Sequence, residues 1–279
     1  MNSSKLTELF TISTLLENQD WNSILENQNC SFLAKKCIKI RKSQSDISIG
    51  TCTVKYGQNV IICPHRLLEK RKIFMDCIHL LQLHEPGNEL HIVAEIAVPG
   101  GSIDYFLVSA KANKVKDFVG IELQTLDTTG TVWPERQRFL QSKGIEVLDT
   151  ESNKSFGMNW KMTAKTILVQ LHHKIETFEI LNKHLVLVVQ GCLLTYMQKE
   201  FSFSHISSNA KLCDSMHFHS YKMTENEDKS HSISLFERMS TDSGGIGKCL
   251  GLQAERNVEL EVIIKKLESK LSSKTLLTL

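Results

Sequence analysis

Alternating apolar and polar positions predict a group of strands in the middle of the chain. The runs HIVAEIAV (91–98), SIDYFLV (102–108) and FVGIELQTL (118–126) have the two-residue period of strands packed on one face. The tripeptide PGG (99–101) is typical of a hairpin connection between the first two runs. A fourth run, HLVLVVQG (184–191), is almost wholly apolar, which predicts a strand buried on both faces.

Apolar positions that recur every three or four residues predict helices elsewhere. They fall at 5–17, 66–83, 159–183 and 254–272. The cysteine-rich segment from Cys30 to Cys63 is short and irregular, and the pattern weakens beyond about residue 200 into a polar, histidine-containing stretch. The chain shows no internal repeat and no long linker. The pattern therefore predicts an α/β fold, with a mixed central sheet flanked by helices.

Three units follow from this division of the chain. Residues 1–85 would hold an N-terminal helix, a four-cysteine metal-binding segment and a second helix. Residues 86–200 would form the core that carries the chemistry. Residues 201–279 would be a C-terminal extension packed on that core.

Composition narrows the class of protein. The 279 residues are 41% hydrophobic and 23% charged, as in soluble globular proteins, and the net charge of +2 neither requires nor excludes nucleic acid. No apolar run approaches the roughly 20 residues that span a membrane, and the start MNSSKLTELF lacks the features of a secretory signal. We therefore expect a cytoplasmic protein with reduced thiols and no membrane partner. Its eight cysteines then need an explanation other than disulfides.

Acidic side chains interrupt the three central strands. Glu95, Asp104 and Glu122 each lie mid-strand, and Gln124 shares a face with Glu122. A carboxylate among apolar residues is costly unless it is paired, hydrogen-bonded or bound to a cation. Three acids on neighbouring strands could share one Mg²⁺, which would polarise a phosphoryl oxygen and activate water while a polar side chain orients that water. The spacing alone favours acids on the solvent face of an amphipathic sheet, because an Asp followed by Glu-x-polar occurs by chance in many chains.

Four cysteines lie within 34 residues: Cys30, Cys37, Cys52 and Cys63. Thiolates concentrated in this way indicate a tetrahedral structural site for zinc or iron. The spacing contains no Cys-x-x-Cys pair, so buried cysteines that act only as small apolar residues remain the alternative. In CDSMHFH (213–219), Cys213, His217 and His219 are further possible ligands, although such a set is more typical of a surface loop.

The central strands resemble those of the NotI-type restriction endonucleases. The stretch EIAVPGGSIDYFLV…GIELQTLDTTG is followed by a helix and a buried strand, and the resemblance covers roughly residues 30–200. In that family glutamine likewise replaces the lysine of the PD-(D/E)xK signature, in a strand end similar to EIQTMD that precedes a glycine. The matching positions here are Glu122, Gln124, Thr125, Asp127 and Gly130. Glu95 matches an acid on the strand before the signature aspartate.

The resemblance implies the PD-(D/E)xK nuclease fold, double-stranded DNA as substrate and Mg²⁺ as cofactor. Glu95, Asp104 and Glu122 would hold the metal, and Gln124 would position water. The family also carries four N-terminal cysteines around an iron. CSFL from Cys30 and CPHR from Cys63 match the first and last of these, while the first two cysteines are closer together here than in the family.

These observations lead to one expected function with two alternatives. We expect a type II site-specific endonuclease that acts as a homodimer on a palindrome, with a cognate DNA methyltransferase in the same cell. The alternatives are a non-catalytic DNA-binding module and a structure-specific repair nuclease on the same fold.

Surface patterns suggest further contacts. Basic clusters at 36–42, 65–72 and 111–116 would bind phosphates, and DTTGTVWPERQR (127–138) would read base edges. Two apolar stripes are candidates for the dimer contact. One comprises Val258, Ile263, Leu267 and Leu271, and the other Leu6, Leu9 and Phe10.

Overall fold

A computed structural model describes residues 4–147, 155–252, 264–265 and 269. The strands in this part of the chain are β1 (Leu6–Leu9), β2 (Ile12–Ser13), β3 (Asn29–Cys30), β4 (Lys35–Lys36), β5 (Ile40–Arg41), β6 (Gln44–Ser48), β7 (Thr51–Tyr56), β8 (Gln58–Ile61), β9 (Glu89–Val98), β10 (Gly101–Lys111), β11 (Lys114–Gln124), β12 (Thr128–Thr129), β13 (Gly157–Met158), β14 (His184–Gln190), β15 (Met216–Glu225) and β16 (His231–Thr241). The α-helices are α1 (Trp21–Asn27), α2 (Lys72–Met75), α3 (Trp133–Ser142), α4 (Trp160–Ile180), α5 (Gly191–Glu200) and α6 (Ser243–Cys249). No helix within these ranges is long and apolar enough to cross a membrane.

A six-stranded sheet forms the centre of the molecule, in the order β16-β15-β14-β11-β10-β9. Strands β9, β10 and β11 are an antiparallel meander, β11, β14 and β15 run parallel, and β16 returns antiparallel. Because parallel neighbours need a crossover, α4 connects β11 to β14 across one face of the sheet. The predicted mixed α/β class is confirmed, as are the four predicted strands and the long helix at 159–183.

Helix α4 packs closely on the sheet because β11 contains Gly120. A Cβ atom at this position would lie 2.5 Å from the Phe178 ring, so only glycine lets the helix come so near. Apolar residues of α4 and the sheet form the core on this face, and a second core of Ile73, Ile121 and Val186 fills the other. All seven residues of β14 are buried, as its continuous apolar run predicts.

The predicted N-terminal helix at 5–17 is wrong. The chain instead forms β1 and β2, joined through Phe10 and Thr11 at φ values of 47° and 73°, and β1 pairs with β7 in a four-stranded sheet ordered β2-β1-β7-β8. Because Leu6, Leu9 and Phe10 are buried in this arrangement, the stripe that they form is not an exposed dimer contact.

The predicted helix at 66–83 is also wrong as a single element. Two 3₁₀ segments, Pro64–Arg71 and Ile78–Leu80, flank the single turn of α2. The first is kinked at Glu69, and the Arg66 guanidinium beside it donates to Glu8 at 2.8 Å and to Glu69 at 2.6 Å. Buried charges require such partners, and this network sets the local path in place of helical periodicity.

Strands β15 and β16 were not predicted, and they extend the central sheet into the 201–279 region. His217 and His219 are buried within β15, whereas Cys213 is exposed and contacts Asp214, so these three do not form the suggested ligand set. The predicted helix at 254–272 and its stripe, Val258, Ile263, Leu267 and Leu271, lie outside the described residues apart from 264–265 and 269.

Candidate active site

Two neighbouring strands bring Asp104 and the Glu122–Gln124 segment together. Tyr105 pairs with Ile121, which places Asp104 on β10 across from Glu122 on β11. The backbone N–H of Leu123 donates to Asp104 Oδ2 at 2.8 Å. This hydrogen bond fixes the Asp104 carboxylate at the carboxyl end of β11.

The edge strand β9 adds a second acid at the same level. Ile96 pairs with Ile103 and Ala94 with Tyr105, so Glu95 lies across from Asp104. Glu95 has a φ of 54°, a left-handed conformation that is uncommon for a non-glycine residue inside a strand. Like charges at facing positions repel each other. Backbone strain and two facing acids together mark this position as a candidate cation site.

A cleft of about 460 Å³ opens at this end of the sheet. Its floor is formed by Glu95, Asp104, Gln124 and Asp127. The cysteine-rich segment contributes the rest of the lining, which includes Lys39, Cys63 and His65. Three of the four predicted catalytic residues therefore share one cleft with the Lys39 ammonium and the His65 imidazole.

Glu122 is turned away from this cleft towards α4. Its Oε1 accepts a hydrogen bond from Lys174 Nζ at 2.8 Å, and both side chains are almost fully buried. Burial, with a smaller contribution from the Asp104 carboxylate, raises the pKa of Glu122 to about 7 against the opposing effect of the Lys174 ammonium. Gln124 lines both the cleft and the narrow gap beneath α4, so it connects Glu122 to the open site.

The four N-terminal cysteines are free thiols that influence one another. A hydrogen bond from Cys52 lowers the pKa of Cys63 to about 4, with His65 acting in the same direction. Burial raises the pKa of Cys30, and Cys63 and Cys37 raise it further. Among residues 4–147 and 155–252, however, no three or more His, Cys, Asp or Glu side chains lie together in an arrangement that could hold a metal ion.

The three basic clusters that were predicted to contact DNA differ in their distance from the cleft and in their exposure. In the 36–42 cluster, Lys39 reaches the cleft. In the 65–72 cluster, Arg66 is buried in its ion pairs and is not available to phosphates. The 111–116 cluster is the β10–β11 turn, roughly 30 Å from Gln124 at the strand rise per residue.

The segment at 127–138 is only partly exposed. Glu135, Arg136 and Gln137 are buried on α3, so the prediction that these side chains read base edges is wrong. Asp127, Thr129 and Thr131 remain exposed next to the signature strand. Lys39, His65 and Asp127 lie in segments that were predicted to contact DNA. Lys174 was not predicted, and only the packing of α4 against β11 identifies it.

Comparison with known protein families decides the assignment. The chain matches the family model described as Restriction endonuclease NotI over residues 25–228. It belongs to this family. The match begins before Cys30 and ends after β15, so the NotI-family unit includes the cysteine segment, the cleft and the unpredicted strand β15. As a restriction endonuclease of this family, the chain is a DNA-cleaving hydrolase. No curated protein and no solved structure matches it.

Proposed function

We propose that this NotI-family chain is a type II site-specific endonuclease that hydrolyses phosphodiester bonds of double-stranded DNA with Mg²⁺. The observation that carries the proposal is the cleft in which Glu95 and Asp104 face each other beside Gln124. Carboxylate and amide oxygens fit Mg²⁺ by their chemistry. Lys39 and His65 line the same cleft, where the Lys39 ammonium would attract a DNA phosphate and the His65 ring could hydrogen-bond to it.

Each residue has a distinct role in this proposal. Asp104, oriented by the Leu123 N–H, and Glu95 would hold the metal from the open side, and Glu122 from beneath. When bound, Mg²⁺ would polarise the scissile phosphoryl group and lower the pKa of a water molecule. Gln124 is neutral and has both a donor and an acceptor, so it would orient the attacking water without adding charge.

The cysteine segment would hold iron or zinc as a structural metal. Four free thiols that interact electrostatically fit the chemistry of either ion, since thiolates are the ligands that both prefer. Cys63 itself lines the cleft wall next to His65. A metal at these cysteines would therefore stabilise one side of the DNA-binding cleft.

The proposal also includes the oligomeric state, the cellular location and a partner enzyme. One active site cuts one strand, so a two-fold homodimer would present a site to each strand of a palindrome. A cytoplasmic location and a cognate methyltransferase that protects the host DNA complete the proposal.

Cleavage of supercoiled plasmid and genomic DNA tests the function. We expect Mg²⁺-dependent linear products whose sequenced ends share one palindromic site. Cleavage only at mismatches, flaps or junctions would favour a structure-specific nuclease. DNA binding without cleavage in any divalent metal would favour the binding module. Nicked circles as the only product would contradict the homodimer.

A further inference from the structure

A buried lysine on α4 contacts the signature strand. Lys174 Nζ donates to Glu122 Oε1 at 2.8 Å and to the Ser102 carbonyl oxygen at 2.6 Å. The Lys174 side chain is 8% exposed and that of Glu122 is 6% exposed. One ammonium group thus joins β10, β11 and α4 directly behind the cleft.

The position of Lys174 follows from how the helix lies on the strand. Phe178 packs against Gly120, and Lys174, one helical turn earlier, reaches Glu122 two residues further along β11. Gln170, another turn earlier, lines the same gap as Gln124. Four residues of a helix rise about 6 Å, and two residues of a strand rise about 6.6 Å. Successive turns of α4 therefore lie beside successive pairs of residues along β11.

Stability alone gives little reason to bury this pair. Taking both charges out of water costs much of what their attraction returns, and apolar residues of similar size often serve a fold equally well. The chemistry of the cleft gives a better reason. A phosphoryl group that is being hydrolysed needs nearby positive charge, and Gln124 supplies none.

We propose that Lys174 is a positioning residue of the active site that acts through Glu122. Its ammonium holds one carboxylate oxygen of Glu122 and leaves the other to bind Mg²⁺. It also supplies from α4 the positive charge that Gln124 lacks on β11. This inference rests on the nuclease function proposed above.

The test compares four variants of the full-length protein: Lys174→Met, Lys174→Gln, Lys174→Arg and the double variant Lys174→Met/Gln124→Lys. Ca²⁺ serves as a probe that supports DNA binding without turnover. We expect Lys174→Met to slow single-turnover cleavage by about 10- to 100-fold and to reduce by a similar factor the gain in DNA affinity that Ca²⁺ gives the wild type. Metal-free DNA affinity should be unchanged. Lys174→Arg and the double variant should recover a large part of both losses.

The matched control is Lys183→Met, which breaks a second lysine–carboxylate pair, with Asp117, at the other end of β11. It should change thermal stability without changing the Ca²⁺-dependent affinity. If Lys174→Met does not fold, Lys174→Gln, which keeps a hydrogen-bond donor, takes its place. A Lys174 variant with wild-type cleavage and wild-type Ca²⁺-dependent affinity would overturn the inference, as would a loss that neither Lys174→Arg nor the double variant relieves. A wild-type protein that cuts no DNA would instead contradict the proposed function.

Discussion

Single residues at the cleft depart from ordinary local preferences. Glu95 adopts a left-handed conformation within a strand, lies across from Asp104 in the strand register and lines the same cleft. Glu122 is buried with a raised pKa. Each feature costs free energy in the isolated fold, and each is accounted for if a cation and a DNA phosphate complete the site.

A second group of residues sets the acid stability of the fold. Burial lowers the pKa values of His184 and His219 and lowers that of His217 to about 4, and the Arg238 guanidinium and neighbouring His79 act in the same direction on His219. A histidine whose pKa is depressed in the folded state binds more protons when unfolded, so its contribution to stability is lost as pH falls below about 6.5. We expect the free energy of unfolding to drop by about 2 kcal/mol per fully buried histidine between pH 7 and pH 5.

Urea unfolding curves at pH 7, 6 and 5 measure this effect. His217→Gln should reduce the pH dependence, whereas His173→Gln, at an exposed position, should leave it unchanged. Equal pH dependence in wild type and His217→Gln would show that His217 does not titrate as its burial implies.

Secondary structure elements show which parts of the fold the sequence could predict. Strands β10, β11 and β14 and helix α4 follow from apolar periodicity because their apolar positions are buried in the two cores. Strand β9 follows from its alternating pattern, although its residues are almost all exposed at the edge of the sheet. Strand β1 could not be predicted in this way. The residues of β1, of the tight turn at Phe10 and Thr11 and of β2 together have an apolar spacing that also fits a helix. Strand β15 was missed because its buried positions include His217 and His219, polar residues that are buried only in the tertiary fold.

The residues of the candidate site also differ in whether the sequence could predict their position. Glu95, Asp104 and Gln124 were predicted because strand alternation and neighbouring positions along the chain are visible in sequence. The orientation of Glu122 towards Lys174 was not, because it depends on how α4 packs against β11. Arg66 was expected among basic surface residues, whereas its partners Glu8 and Glu69 bury it.

The contact between α4 and β11 can be tested at Gly120. In Gly120→Ala the added methyl group would meet the Phe178 ring at 2.5 Å and push the helix off the strand. We expect the free energy of unfolding to fall by about 1–3 kcal/mol, as in overpacked cores, and DNA cleavage to slow as Lys174 moves away from Glu122. Gly247→Ala on α6 is the control, because within the described structure the added carbon would have no atom within 4 Å other than those of its chain neighbours and its own helix backbone. Wild-type stability in Gly120→Ala would mean that the helix is not held this closely.

The cysteine segment makes a separate prediction about metal content. Freshly prepared, reduced protein should carry about one iron or zinc per chain, and Cys63→Ser should lose the metal together with several kcal/mol of stability. Elemental analysis and thermal unfolding measure both. Cys213→Ser, at an exposed thiol, should retain the metal. Reduced wild-type protein without bound iron or zinc would contradict the proposed structural metal.

At the scale of the whole molecule, the NotI-family match and the fold describe the same unit. The matched residues 25–228 contain the cysteine segment on one wall of the cleft and the carboxylate-bearing meander on the other. The cleft is polar because its paired acids, Glu95 and Asp104, come from the sheet and its basic residues, Lys39 and His65, come from the N-terminal segment. A nuclease needs both, the first for metal and the second for DNA.

The most direct measurement of the central claim is Mg²⁺-dependent plasmid cleavage by Asp104→Asn, compared with wild type and with Asp228→Asn in the exposed β15–β16 turn. Asparagine keeps the size of the side chain and an oxygen for the Leu123 N–H, so the variant should fold normally and bind DNA in Ca²⁺. We predict that Asp104→Asn loses cleavage while Asp228→Asn cuts as the wild type does. Undiminished cleavage by folded Asp104→Asn would contradict the assignment of this cleft as the active site.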